Sequence, residues 1–412
     1  MINPNENQLR PALLGICSLN FAHGHSSASR IHMLSNHLGQ MLVLNGATER
    51  RFQTGMERQY GKYTFNVKMP ANGEILHIID RYRRTHGKDS IEMNPQTVVV
   101  YEDDETKVIG IIDLAGHCSN HQYFGFKYAE GKDMDKLFVG SKVAKDAVFL
   151  ESPSITDEGG YKYGLQGNVA YMTLPATSED GVLVSRDFLP KLGFKTYETR
   201  IVEWGSKKFA LNLYPDLDVN GMPLNFKPYP DIGQVIREDG LLMALRAYDP
   251  AELAGVEPGV RDAMEVDFTF DTTVYANGPG GRVVDIRIHH GLNRRNHAAV
   301  NMDEQSQKYD DARRQFYARI LEVWRKLYHE RGDALVLTPA FNRLVVEAQS
   351  VVSEVSTGQG VSKMYRKAPL DDYWIEFVVE YDIIPTTGFK ITDLHGTFGQ
   401  QTGLLTTCLT SQ

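Results

Sequence analysis

The run Ile375 to Ile384, Ile-Glu-Phe-Val-Val-Glu-Tyr-Asp-Ile-Ile, constrains the fold more than any other stretch. Its density of β-branched and aromatic residues reads as a buried strand. It leads into the segment 387–400, Thr-Gly-Phe-Lys-Ile-Thr-Asp-Leu-His-Gly-Thr-Phe-Gly-Gln, a glycine-punctuated connection that carries Lys390 and His395. At a strand exit, a lysine and an imidazole can clamp phosphates, one as a point charge and the other as a donor. Gly, Lys and His are also ordinary residues of a solvated turn, so composition alone leaves both readings open.

Other elements follow from periodicity. Ser26 to Leu44 reads as a helix, capped by Ser26 or Ser27, with Ile31, Leu34, Leu38 and Met41 as its apolar stripe. Asn36 and Gln40 lie one turn apart on another face, open to a ligand or to water. Residues 60–150 read as β-rich, with Thr97–Tyr101 and Val108–Ile112 flanking the acidic turn Glu102–Glu105. Val169–Met172 and Val182–Val184 are strand candidates, joined by a turn with Glu179 and Asp180. Adjacent carboxylates there can attract a cation or form a plain polar turn, which is the commoner use. From about residue 216 Pro, Gly and Asp increase, marking a different module, and Asp271 to Ile288 reads as a hairpin through Asn277–Gly281. Residues 303–328 form the clearest helix, with Tyr309, Ala312, Phe316, Ile320, Val323, Trp324 and Leu327 at helical spacing.

At 412 residues the chain has room for two or three domains. A net charge of −8 argues against a free-standing nucleic-acid binder, though not against a subunit whose cations line one channel. Local basic clusters are Arg81 to Arg84, Arg294-Arg295 and Arg313-Arg314; each is readable as a solvated face, which is the favoured reading for Arg313-Arg314. Cys17, Cys118 and Cys408 are too few and too far apart for a disulfide framework, so a reducing compartment is expected. His117, Cys118 and His121 lack a second ligand pair at zinc spacing, which favours a structural or surface role. The sequence contains no signal-peptide pattern and no bilayer-spanning apolar run, so no membrane partner is expected.

The order G-x-K-x-x-x-x-H-G-x-x-G over 388–399 resembles the G-D-K-x-x-x-R-H-G-N-K-G segment of the β-type large subunit of multisubunit RNA polymerases. Gly167-Asn168-Val169-Ala170-Tyr171-Met172 followed by Glu179-Asp180-Gly181-Val182-Leu183-Val184-Ser185 is similar to that family's V-A-F-M, turn and F-E-D-S-I-L-V-S. Ser29-Arg30-Ile31-His32-Met33-Leu34-Ser35-Asn36-His37-Leu38-Gly39-Gln40 resembles N-R-A-L-M-G-A-N-M-Q-R-Q. Thr54-Gly55-Met56-Glu57 matches T-G-M-E, and Gly281-Arg282-Val283-Val284-Asp285-Ile286 is similar to the G-x-V-I-D-V strand that opens the family's flap, or wall. The segments keep the family's order over roughly residues 13 to 400.

The resemblance implies an α+β, mostly β fold. Residues 1–139 would hold a hybrid-facing helix and an outer β-rich lobe. Residues 140–215 and 366–412 would form the two halves of a double-psi β-barrel, with a flap or wall, 216–365, inserted between them. It implies a subunit of a DNA-directed RNA polymerase that is inactive without its β′-type partner. That partner holds the catalytic magnesium with N-A-D-F-D-G-D; Asp267-Phe268-Thr269-Phe270-Asp271 is only superficially similar. Expected partners are the other polymerase subunits, a promoter-specificity subunit among them, with DNA template, RNA and nucleoside triphosphates. By the family pattern Lys390 and His395 lie near phosphates of the RNA 3′ end or initiating nucleotide. Glu179 and Asp180 lie near the nucleotide-borne magnesium, Arg30 faces the triphosphate, and Asn36 and Gln40 line the RNA–DNA hybrid.

The chain departs from the pattern at Phe389, Leu394 and Phe398, where the family has Asp, Arg and a second Lys. The chain's extent resembles one piece of a split β-type subunit, as giant phiKZ-like bacteriophages encode. That implies the infected bacterial cytoplasm, a phage nucleus-like compartment or the virion as its location. The competing expectations are a non-catalytic phage structural or regulatory protein that retains the barrel fold, and an unrelated β-rich binding module.

Overall fold

A computed structural model describes residues 15–19, 27–51, 53–63, 65–81, 96–121, 123–168, 170, 172, 174–176, 182–204, 208–217, 222–248, 269–290, 303–352, 373–387, 390–391, 404–407 and 409–410. The fold is α+β and mostly strands, with curled antiparallel half-barrel sheets. No helix among these residues is long and apolar enough to cross a membrane.

The helices are α1 (Ala28–Gly39), α2 (Glu57–Gly61), α3 (Glu304–Arg331) and α4 (Pro339–Val352). The first strands are β1 (Val67–Lys68), β2 (Gly73–Asp80), β3 (Gln96–Asp103), β4 (Ile109–Ala115), β5 (His117–His121), β6 (Phe124–Lys127) and β7 (Ala129–Glu130). Next come β8 (Lys142–Val143), β9 (Val148–Glu151), β10 (Leu165–Asn168), β11 (Phe194–Trp204), β12 (Lys208–Ala210), β13 (Tyr214–Leu217) and β14 (Pro223–Lys227). The last are β15 (Leu241–Tyr248), β16 (Thr269–Tyr275), β17 (Arg282–His290), β18 (Tyr373–Ile383), β19 (Lys390–Ile391), β20 (Leu404–Thr407) and β21 (Leu409–Thr410).

The central sheet has the order β17-β18-β11-β6-β5. Its spine is the antiparallel β11–β18 pair, in continuous register from Phe194↔Ile383 to Trp204↔Tyr373. The apolar run of β18 supplies Ile375, Phe377 and Val379 to a core shared with Ile286, Ile288, Leu242 and Tyr229. Alternate residues of β18 share a face, so one strand fills this core at every second position. Fully buried Tyr229 keeps its hydroxyl satisfied through Ser306 Oγ at 2.8 Å.

A second sheet, β4-β3-β2-β8, is buried on both faces. Val98 and Val100 pack under Phe316, Ile320, Phe341 and Val345 of the α3–α4 pair. Val99 and Tyr101 face the opposite way, onto Met69, Ile112 and Phe149. The β3–β4 hairpin thus forms where the alternating valines and isoleucines place it, around a turn whose Lys107 takes a left-handed φ of 58°.

Helix α3 starts at Asp303, whose side chain accepts from Ser306 N at 2.8 Å, and stops at Gly332, φ 55°. Its stripe serves two cores. Tyr309 packs on the β17–β18 core, whereas Phe316, Ile320 and Leu327 pack on the β2–β4 sheet. Residues 216–365 are therefore joined on both sides. β17 is hydrogen-bonded along β18, and α3 is fixed to the N-terminal lobe, where Arg331 pairs with Glu102.

Some local expectations are corrected. The strands on either side of Asn277–Gly281 do not form a hairpin: β16 pairs with β15, and β17 pairs with β18. The outer edge at the start of β17 is occupied by the 233–236 segment, through Gly233 N to Val283 O at 2.7 Å and Val283 N to Gln234 O at 3.0 Å. Residues 182–184 are not a strand; Val184 packs as a loop residue against the Leu44–Phe194 cluster. A strand is found at 165–168; of the one expected at 169–172, Ala170 and Met172 are not in a strand, and residues 169 and 171 lie outside the described residues. Of the readings open for Arg81, the solvated face does not hold: it lies 7% exposed against Asp285.

Candidate functional site

Helix α1 begins because Ser27 is extended, φ −67° and ψ 155°, and its hydroxyl accepts from Arg30 N at 3.4 Å. Leu38 turns inward into a cluster with Leu19, Met56 and Tyr163, while Arg30 and Asn36 are exposed and Gln40 is half-buried at the C-cap. Cys17 Sγ donates to Ile31 O at 3.1 Å, tying the preceding turn to this helix; burial pushes the Cys17 thiol up, against a smaller opposing hydrogen bond with Ser35.

The Thr-Gly-Met-Glu segment forms a closed local device. Thr54 N donates to Glu57 Oε1 at 3.2 Å, and Thr54 Oγ1 accepts from Met56 N at 3.3 Å. Gly55 occupies φ 82°, the left-handed region that favours glycine. Met56 and Glu57 are both buried, and Glu57 O accepts from Tyr161 N at 2.9 Å.

Beneath α1 lies Arg50, 4% exposed. It donates to Leu19 O at 2.9 Å and to the Tyr163 hydroxyl, with its guanidinium 4.8 Å from the Tyr163 ring centroid. A buried guanidinium needs such donors' partners to offset lost hydration. The strand that follows, β10, is laced to the same region: Thr48 N donates to Gly164 O at 3.0 Å and Arg51 N to Gln166 Oε1 at 3.1 Å. Leu44 bridges Phe194, the first residue of β11.

Two distant parts of the chain then meet. β10 pairs with β20, from Leu165↔Thr407 to Asn168↔Leu404, and β19 pairs with β21 through Lys390↔Thr410. The structure thus places the α1 residues beside the 161–168 segment, and the 165–168 segment beside 404–407. The backbone of Lys390 lies in β19; its side chain, Glu179, Asp180 and His395 lie outside the described residues, as do Arg294 and Arg295. Among the described residues no three His, Cys, Asp or Glu side chains converge as a metal site.

A buried charge network escaped sequence reasoning. Arg81 Nη1 meets Asp285 Oδ2 at 3.0 Å, Arg287 Nε meets the same oxygen at 2.7 Å, and His289 Nε2 lies 3.3 Å from Glu376 Oε2. Burial alone would raise the Asp285 carboxyl, but the Arg81 and Arg287 guanidiniums overrule it and hold it below its ordinary value. Burial depresses His289, whose ring stacks on Trp374 at 4.9 Å. The available signal was cross-strand: Arg287 sits opposite Glu376, and His289 opposite Trp374. His117, from the discarded zinc cluster, stacks on Tyr197 at 4.3 Å, a structural use.

No known protein family model matches the chain, and no curated protein sequence matches it.

Proposed function

We propose that this chain is the central-to-C-terminal part of a β-type subunit of a multisubunit DNA-directed RNA polymerase, of the kind that giant phiKZ-like bacteriophages divide among several chains. One observation carries the reading: segments that contain or flank the two family-like motifs, far apart in the chain, are hydrogen-bonded neighbours through Gly167↔Leu405 and Phe194↔Ile383. On this reading β10, β19, β20 and β21 belong to a double-psi β-barrel that faces a second barrel on the β′-type partner.

The chain's own residues then position phosphates. Lys390 and His395 hold the RNA 3′ end or the initiating nucleotide, Arg30 meets the incoming triphosphate, and Asn36 and Gln40 line the hybrid. Glu179 and Asp180 orient water near the nucleotide's metal. Preorganised donors aimed at developing phosphate charge are the main catalytic device open to such a subunit. Magnesium, held by partner aspartates, supplies the Lewis acid for nucleotidyl transfer.

The test is purification of the tagged chain from phage-infected bacterial cells, with identification of what co-elutes. A stoichiometric chain carrying N-A-D-F-D-G-D, and template-dependent RNA synthesis in the same fraction, is the expected result. The chain purified without partners but extending an RNA primer by itself would overturn the assignment.

A further inference from the structure

A separate cationic surface lies beside α2. A cavity of about 410 Å³ is lined by Arg58, Gly61, Lys62, Lys68, Glu158 and Gly159. Three cations thus face one carboxylate, on a chain whose net charge is −8. Glu158 is engaged by Arg58 at 3.3 Å, in a pair whose side chains are 75% and 80% exposed, so the pair is worth little and can rearrange. Among the described residues neither Lys62 nor Lys68 forms an ion pair.

Aromatic residues alternate with these cations along the chain, at Tyr63 and Phe65 between Lys62 and Lys68. Tyr63 is 86% exposed and Phe65 52% exposed, unusual for side chains that gain by burial. The described residues on either side of position 64 are tied by hydrogen bonds. Tyr63 N donates to Tyr60 O at 3.0 Å, Tyr128 Oη donates to Phe65 O at 2.7 Å, and Ser152 N donates to Asn66 Oδ1 at 2.7 Å. Gly61 presses so closely on the neighbouring segment that a Cβ there would lie 1.9 Å from Gly159 O. Tyr63 therefore stands almost wholly in solvent, whereas Phe65 rests its ring 6.1 Å from buried Phe126 and presents its outer side.

We propose that this surface binds a single-stranded nucleic acid, with Arg58, Lys62 and Lys68 on the phosphates and Tyr63 and Phe65 stacked on bases. Fixed aromatic platforms alternating with cations are what sequence-tolerant single-strand binding requires, and a duplex hides the base faces that the rings need. The inference stands on this surface alone and does not depend on the polymerase reading.

The test uses the full chain, in whatever complex it purifies, with fluorescein-labelled oligothymidylate and oligouridylate of about twelve nucleotides and a duplex of equal length. Anisotropy titrations over a range of salt give affinity and slope. Single strands of both sugars should bind more tightly than the duplex. Tyr63→Ala should weaken binding by roughly 5- to 100-fold, the loss of one stacked base, and Tyr63→Phe should restore it. Lys62→Ala with Lys68→Ala should lower the slope of log affinity against log salt by about 1.4, two cations at about 0.7 each. Absence of single-strand binding, equal binding by Tyr63→Ala, or tighter binding of the duplex would overturn the proposal. Displacement of the strand by inorganic tripolyphosphate at equal phosphate concentration would also overturn it, by reducing the site to a small-anion pocket. Because Tyr63 projects into solvent, its variants retain the fold, which unchanged thermal melts would verify.

Discussion

The central sheet and the α1–β10 region solve the same problem differently. In the sheet, β11 and β18 pair over their full length and β17 adds to the other edge of β18, so ladder hydrogen bonds and a large apolar core specify the arrangement together. The α1–β10 region has short elements and a small cluster around Leu19, Leu38, Met56 and Tyr163. It is held instead by single side chains that reach backbone: Arg50 to Leu19 O, Gln166 to Arg51 N, and Thr54 with Glu57. The frame is therefore redundant, whereas the region bearing the candidate site residues Arg30, Asn36 and Gln40 is fastened by a few polar contacts.

The sheet's least redundant element is its buried ion pair, and removing one partner there should give the largest effect. Arg81→Ala leaves Asp285 buried with only Arg287 beside it, and should cost about 3–5 kcal/mol in denaturant unfolding. The pH dependence has a definite sign. The folded Asp285 carboxyl is held below its ordinary value of 3.8, so its contribution is complete above that pH and is lost as the pH falls through the lowered folded value. The gap between wild type and Arg81→Ala should therefore narrow below about pH 4. A gap that widens on acidification would mean that the carboxyl is not the charged partner.

Arg50→Ala should come second, at about 1.5–3 kcal/mol, for loss of charge-assisted hydrogen bonds beneath α1. Hydrogen exchange sharpens the comparison here. Protection should fall in 28–39 and 161–168 and stay unchanged in 373–383. Equal loss in both regions would show that they are one cooperative unit. Thr54→Ala removes the acceptor of Met56 N and should cost about 1 kcal/mol by thermal melt. Arg58→Ala, in a solvated pair, should change stability by less than about 0.5 kcal/mol.

Strong periodicity made parts of the frame legible in advance. The stripe at 303–328 marks the helix found at 304–331, and the valine-rich runs mark the hairpin at 96–115. The apolar run at 375–384 marks β18. Decisions made by distant partners were not legible. Local turn residues at 277–281 signal a reversal, but only the Gly233–Ile236 segment decides that β17 turns its edge away from β16. Arg81 reads like any surface cation until Asp285, some two hundred residues on, arrives beside it. Within the candidate site, the exposure of Arg30 and Asn36 on α1 follows from helical phase. Arg50 has no local signal, because its partners Leu19 and Tyr163 are remote in sequence.

On the proposed function, this chain supplies phosphate-positioning groups to a polymerase, with Lys390 foremost. The direct measurement is short-RNA synthesis at saturating template by enzyme reassembled from its subunits with wild-type chain, with Lys390→Ala, or without this chain. A lysine on a phosphate in a partly desolvated channel contributes about 1.5–3 kcal/mol. Lys390→Ala should therefore assemble normally yet lower synthesis by roughly ten- to a hundredfold, most strongly at initiation, and omission of the chain should abolish it. Wild-type yields from Lys390→Ala, or undiminished synthesis without the chain, would contradict the account.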